Sequence, residues 1–432
     1  MTKRAERAGR EQGPRPPIHA DAVQLRQLLF PMVAGIAATR TELMAWVHAV
    51  GLSALEELLR DDAARIAGPK GVHRTERTHH HWGSVPTELP LGGRRVTIKR
   101  PRVRSRGGRE EVLPTLAHLR GTDPLPERVV NQILVGVSTR GYDASLEPPP
   151  AGVRSRGTSR SAVSRHLVAR TSRGLRDQLA RRLDDVRLAV LMLDGLNVGE
   201  HTVVVALGVT PKGVKIPLGL WVGSTENARV CTDLLQNILE RGLKVDDPIL
   251  CVIDGGKGIR KALRDVWGDL AVVQRCQVHK LRNVRDHLPD HRHMHVTRVM
   301  RDAYGSTSAD VARRRLRALA TWLERNGEAT AAGSLREGLE ETLTVIKLGL
   351  PSSLRRSLST TNSVENLISS IRKVTRNVKR WRGADMARRW TALGIHHAER
   401  HFRRFRGFEA LPVLVAALKK LQPAIDADQE AA

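Results

Sequence analysis

Three carboxylates occupy positions from which they could do chemistry together. Asp194 closes the apolar run LMLDG, and Asp254 closes CVIDGG. Open α/β sheets place their sites at the carboxyl ends of strands. If these two strands are parallel neighbours, the carboxylates meet. Hard oxygen ligands held close together suit Mg²⁺ or Mn²⁺. A pair of such ions activates a water or a 3′-hydroxyl and stabilises the departing oxygen of a phosphodiester. The site needs a third carboxylate, and the stretch TTNSVENLISSIRKVTRNVKR, starting at Thr360, offers Glu365. There Val364, Leu367, Ile368, Ile371, Val374 and Val378 make an apolar helix face after Asn362 as N-cap. Glu365, Ser369, Arg372, Arg376 and Lys379 fall on another stripe, a carboxylate at the top of a basic track that can hold DNA phosphates.

Each residue also has a plainer role. Asn362 and Glu365 have the spacing of a capping box, the commoner use for such a Glu taken alone. An Asp ending a strand is most often a turn residue. Cys276 and His279 form half a zinc pattern, and no second Cys pair or spaced His pair completes it. A supporting role beside the carboxylates, with His279 contacting a scissile phosphate, is the preferred reading. DGGKG lacks the spacing of a nucleotide phosphate loop. Lys257 and Arg260 at that helix start are DNA-contact candidates or simply solvated charges. His79, His80 and His81 in RTHHHWG suggest a basic loop rather than a metal site. Trp381, in KRWRG beside Arg380, is a candidate for stacking on a base and equally a core residue; Trp390 reads as core.

The elements that must position these groups follow from pattern. VRLAVLMLD, HTVVVALGVT and VKIPLGLWV are three β-branched runs. Then come a helix (ENARVCTDLLQNILERGL), a buried strand (PILCVIDGG), a helix, the strand DLAVVQRC and a helix. The order β-β-β-α-β-α-β-α predicts a meander extended by parallel strands, a ribonuclease H-like mixed five-stranded sheet. Residues 295–355 carry only helical periodicity and read as a helical insertion. Upstream, helical spacing between Asp21 and Ile66 precedes a β ribbon at PLGGRRVTIKRPRVRS, with Val96 and Ile98 inward. Thr158 or Ser159 can cap a helix with Val163 and Leu167 inside and Arg160 and Arg165 outside. With ERVVNQILVG before it, this predicts a helix-turn-helix reader, against the alternative of an ordinary helical hairpin.

The bulk numbers set the partner. The 432 residues suit two or three domains. Lys plus Arg is 72 against 45 Asp plus Glu, a net charge of +27, which points to a polyanion and first of all to nucleic acid. The longest apolar run, Leu28 to Ala38, is too short to span a membrane and contains Pro31. The basic N-terminus lacks the apolar core of a signal peptide, and three cysteines suggest a reducing cytoplasm.

The blocks LMLDGLNVGEH, GLWVGSTEN, VIDGGKGIRKAL, VVQRCQVHKLRNV and STTNSVENL resemble the conserved blocks of Mutator-type bacterial insertion-sequence transposases. KRPRVRS, GVSTRGYDASL and SAVSRHL, and the tail VKRWRGADMARRWTALGIHHAERHFRR, resemble the family's flanking regions, from about His73 to Phe408. The resemblance implies that Asp194, Asp254 and Glu365 are an acidic triad binding two Mg²⁺ or Mn²⁺ ions. It implies a DDE-type enzyme that cleaves DNA at terminal inverted repeats and joins it to target DNA, acting as a dimer or larger synaptic assembly. The expected layout is a disordered basic tail (1–20), a DNA-binding region (21–183), the catalytic core (184–294 and 356–408) interrupted by the insertion (295–355), and a C-terminal helix and tail (409–432). Two alternatives remain: a ribonuclease H-like nuclease or resolvase, and a DNA-binding regulator with an inactive core.

Overall fold

The computed structural model describes residues 40–72, 76–121, 124–149, 152–223 and 227–421. The basic tail, the helical reading of 21–39 and the last residues, 422–432, lie outside them. The chain divides into two compact units, at His166/Leu167 rather than after 183. The division falls early because the second half of one helix packs into the C-terminal unit, where Gln178 Nε2 donates to the Pro217 carbonyl (3.1 Å).

In the N-terminal unit, helix α1 (Arg40–Ala67) packs on a hairpin of β1 (His79–Leu91) and β2 (Arg94–Ser105), closed at Gly92-Gly93. Val96 and Ile98 are buried with Leu59 and Ala63, as alternation along β2 requires, and Val103, at the other parity, joins them beyond the register shift opposite His81 and Ser84. The ribbon is longer than expected, because the three histidines lie on β1 and not in a loop. Pro86 and Pro90 obscure that strand in the sequence, but β1 pairs on one side only, where proline is tolerated. Strand β3 (Glu110–Glu111), α2 (Pro114–Gly121), α3 (Leu125–Leu134), β4 (Ser155–Arg156) and α4 (Arg160–Ala180) follow.

The helix-turn-helix expectation needs correction. Helices α3 and α4 both exist, and Ser159 caps α4 by accepting from the Ala162 N–H (3.3 Å). Val163 and Leu167 are buried, with Arg160 and Arg165 exposed. But the motif joins its helices by a three- or four-residue turn. Here residues 135–159 intervene, and β4 within them pairs with β2.

The C-terminal unit holds a mixed sheet in the order β7-β6-β5-β8-β9. Strands β5 (Val190–Val198), β6 (His201–Val209) and β7 (Lys215–Gly223) form the antiparallel meander. Strands β8 (Ile249–Ile253) and β9 (Ala271–Arg275) add in parallel, as the element order predicts. Leu191 and Leu193 face α5 (Ala228–Glu240) and α6 (Lys257–Trp267). Val190 and Met192 face the opposite core. There lie α7 (Gln277–Arg285), the insertion helices α8 (Asp290–Gly305), α9 (Ala309–Arg325), α10 (Ala329–Arg336), α11 (Thr344–Lys347) and α12 (Ser352–Leu358), then α13 (Asn362–Thr375), α14 (Ala384–Glu399) and α15 (Leu411–Lys419). The insertion is helical throughout, and Trp390 is core.

Helix α13 is held by close approach to α14. A Cβ on Gly394 would stand 2.8 Å from the Ile371 Cα. Gly394→Ala is therefore expected to destabilise the protein by roughly 1–3 kcal/mol, the cost of overpacking. Gly333→Ala, where a Cβ meets open space on α10, is the control and should not. Thermal unfolding of the two variants checks this.

Candidate active site

Parallel pairing aligns Leu193 with Ile253, so Asp194 and Asp254, the next residue after each, emerge together where β8 ends; β5 runs on to Val198, so Asp194 lies within its strand rather than closing it. Backbone groups fix both. Asp194 Oδ1 accepts from the Gly195 N–H (2.9 Å) and Asp254 Oδ1 from the Gly256 N–H (2.8 Å). Burial, and then the neighbouring charge of Asp254, push the Asp194 carboxyl up to about 6, with Glu365 adding in the same direction. A half-buried carboxylate beside two others is short of positive charge.

Glu365 reaches the same place from the first turn of α13. The helix begins one residue earlier than the sequence reading: Thr361, not Asn362, is its N-cap. The carboxylate accepts a hydrogen bond from the fully buried Thr361 hydroxyl (2.5 Å) and lies 3.8 Å from His279 Nε2. The capping box with Asn362 is thus replaced by a side-chain contact that turns Glu365 toward the aspartates.

Cys276 and His279 complete the surroundings. Cys276 caps α7, its buried sulfur accepting from the His279 N–H (3.5 Å). Burial opposes the Cys276 thiolate, yet hydrogen bonds with His279 and Thr361 outweigh it and lower the pKa. The hydrogen bond with Cys276 raises that of His279 against burial, and the charges of Cys276, Glu365 and Asp254 favour the imidazolium further. One ligand atom each from Cys276, His279 and Glu365 lies within 4.8 Å of the others. A closed zinc site has four protein ligands, and here one of three is shared with the carboxylate site. His293 is bonded to the carbonyls of Arg285 and Leu288, and His295 packs on Trp322; neither belongs to this group.

Sequence reasoning missed the residues that hold these elements together. Gln274 is fully buried, donating to the Thr342 carbonyl (3.0 Å) and accepting from the Val345 N–H (2.9 Å). Gln277 also donates to Thr342 (2.8 Å), and its N–H to the Ser359 carbonyl (2.9 Å) just before α13. Polar residues at the end of the apolar run AVVQRC were the available signal, since a buried polar side chain needs partners.

The basic candidates are scattered over this surface. Lys257 is exposed at the first position of α6, and Arg372 and Arg376 are exposed on α13 and its C-cap. The helix ends at Thr375, so Lys379 and Arg380, also exposed, lie beyond it and do not continue the stripe. β-Branched Thr375 and then Asn377, both weak helix formers, accompany the end. Trp381 is half-buried on the core and covers Gly199 in the β5–β6 turn, where a Cβ would stand 2.7 Å from its ring. In the N-terminal unit, His81 bonds the Gly68 carbonyl (2.8 Å) and His79 lies 3.7 Å from Glu111, while Trp82 is half exposed under the Arg104 guanidinium.

Among curated proteins, the chain is 30% identical over 199 residues to a probable insertion-sequence transposase of Corynebacterium diphtheriae, covering 44% of this chain and 54% of that one. It is 28% identical over 327 residues to the transposase for insertion sequence element ISRM5 of Rhizobium meliloti, covering 74% and 79%. It is 24% identical over 333 residues to the IS256 transposase of transposon Tn4001 from Staphylococcus aureus, covering 73% and 80%. The chain thus spans only about half the length of the first of these, but most of the other two. The model of the family described as "Transposase, Mutator family" matches residues 40–403, a stretch that takes in the sheet, both aspartates and the helix of Glu365, and the chain belongs to that family.

Proposed function

We propose that the protein is a DDE-type DNA transposase built on a ribonuclease H-like core, with Asp194, Asp254 and Glu365 as its catalytic carboxylates. The observation that carries this is the register of β5 on β8, which sets two aspartates side by side and within electrostatic reach of Glu365. The donor set fits hard divalent cations: three carboxylates, one of them held up to about 6 by burial and its neighbours, where added positive charge would relieve both. Asp194, Asp254 and Glu365 would hold two Mg²⁺ or Mn²⁺ ions, which when bound supply Lewis-acid activation of the attacking oxygen and stabilise the leaving one.

The chain's own groups do the rest. Thr361 and the Gly195 and Gly256 N–H groups orient the three carboxylates. His279, whose imidazolium form is favoured by the hydrogen bond with Cys276 and by the charges of Cys276, Glu365 and Asp254, contacts the scissile phosphate. Lys257, Arg372 and Arg376 bind the DNA backbone around it, while Lys379 and Arg380 extend that surface past the helix. Water first opens one phosphodiester at each element end, leaving a 3′-hydroxyl. That hydroxyl then attacks a target phosphodiester, one P–O bond forming as another breaks, so no nucleotide is consumed. The N-terminal unit, with exposed Arg160 and Arg165, reads the terminal inverted repeats, and two copies or more join the two ends. The net charge of +27 over the whole chain serves affinity and steering. Among the described residues no helix is long and apolar enough to cross a membrane.

The test supplies the protein in trans to a plasmid carrying its gene's native flanks, and sequences donor junctions, circles and insertions. New junctions at inverted repeats are expected. Intact binding to the flanks with no product would instead favour a DNA-binding regulator, and cutting without joining a nuclease.

A further inference from the structure

The loop that carries Asp254 is tied to the helical insertion through one buried guanidinium. Arg275, the last residue of β9, is 4% exposed. It donates to the Gly255 carbonyl (2.9 Å), one residue past Asp254, and to the Glu337 carbonyl (3.1 Å) and carboxylate (3.2 Å) after α10. The backbone makes room on both sides. Gly255 (φ 106°) and Gly338 (φ 61°) have left-handed backbones, and a Cβ on either would land on the guanidinium.

A second buried cation makes a comparison possible. Lys280, 2% exposed, donates to the carbonyls of Ser334 (2.7 Å) and Glu337 (2.6 Å). It anchors the same segment of the insertion, its hydrogen bonds going to Ser334 and Glu337 and not to the Asp254 loop. Arg275 is thus the side chain that bonds both the metal-side loop and the insertion. A bidentate donor of fixed shape suits that task, and lysine does not replace it.

We propose that Arg275 is a positioning residue for the metal site: by holding the Gly255 carbonyl against Glu337 it keeps the Asp254 carboxylate aimed at the cation position, and so sets the site's affinity for a divalent metal. This rests on the reading of Asp254 as a metal ligand. Residues that orient metal ligands typically change affinity 10- to 100-fold when replaced.

The test measures Mn²⁺ binding to the whole protein by calorimetry, with thermal unfolding in EDTA alongside. Arg275→Lys should weaken Mn²⁺ binding about tenfold. Gly338→Ala, which displaces the guanidinium from the insertion side, should do the same if the lysine variant fails to fold. Lys280→Met should lower the unfolding midpoint and leave Mn²⁺ affinity as in the wild type. Unchanged affinity in folded Arg275→Lys or Gly338→Ala protein, or an equal loss in Lys280→Met, would overturn the proposal and leave the metal reading standing. A wild type that binds no Mn²⁺ would overturn both.

Discussion

Glu365→Gln is expected to lower strand cleavage by about a thousandfold or more, with DNA-end binding and the unfolding midpoint close to wild type. Charge stabilisation of the kind a bound metal provides is worth several kcal/mol, and each 1.4 kcal/mol is a factor of ten. Gln keeps the size of the side chain and can still accept from Thr361, but it cannot supply the anionic ligand. Asn362→Ala is the companion variant. Were Glu365 only one half of a capping box, removing the other half would cost stability of about 1 kcal/mol and the two variants would resemble each other. Because Thr361 is the N-cap and the Glu365 carboxylate points to Thr361 and His279, Asn362→Ala should cleave normally. Initial rates of nicking on labelled end DNA, at matched DNA binding, decide between them.

Asp194→Asn should do two opposite things: abolish cleavage and stabilise the metal-free fold at alkaline pH. Burial and the Asp254 charge raise the Asp194 pKa from 3.8 to about 6. A pKa raised in the folded state means that the folded protein binds the proton more tightly than the unfolded chain does. The stability this contributes is present in full below about pH 4 and is lost as pH rises through about 6. A shift of roughly two units corresponds to about 3 kcal/mol at most. The asparagine variant carries no such charge, so in EDTA it should exceed the wild type by about 2–3 kcal/mol at pH 8 and match it near pH 4. Adding Mg²⁺ should narrow the gap by compensating the wild-type carboxylates. Urea unfolding at the two pH values, with and without Mg²⁺, measures this. Equal stability at both would mean that the three carboxylates do not crowd one another.

The sheet was readable because its strands are unmixed signals. LMLD and CVID are short apolar runs ending in a carboxylate, and their parallel pairing follows from the two antiparallel strands and one crossover helix lying between them. The first strand of the ribbon was not readable, since two prolines and three histidines in HHHWGSVPTELPL hide a strand that needs pairing on one edge only. Helix α13 was legible in its apolar face but not in its ends: local propensity did not separate Asn362 from Thr361 as the cap, nor predict that the helix stops at Thr375. The two helices of the expected DNA reader were visible, while the strand inside their connection was not, because Ser155–Arg156 is a strand only by pairing with β2. Of the candidate site, the carboxylates could be picked out one at a time. The tethers could not: Thr361, Gln274 and Arg275 acquire their meaning from partners such as His279, Thr342 and Glu337 far along the chain, and no local pattern announces such pairs.

The most direct test of the three-carboxylate site maps the products to the nucleotide. Purified protein, end-labelled DNA bearing the native flanks, target plasmid and Mg²⁺ are incubated with wild type, Asp194→Asn, Asp254→Asn and Glu365→Gln at equal end binding. The site described here predicts a free 3′-hydroxyl at the element's terminal nucleotide, then a joint to target DNA, with the wild type alone. Cleavage that survives in any of the three variants, or a covalent protein–DNA adduct in place of the free hydroxyl, would contradict it.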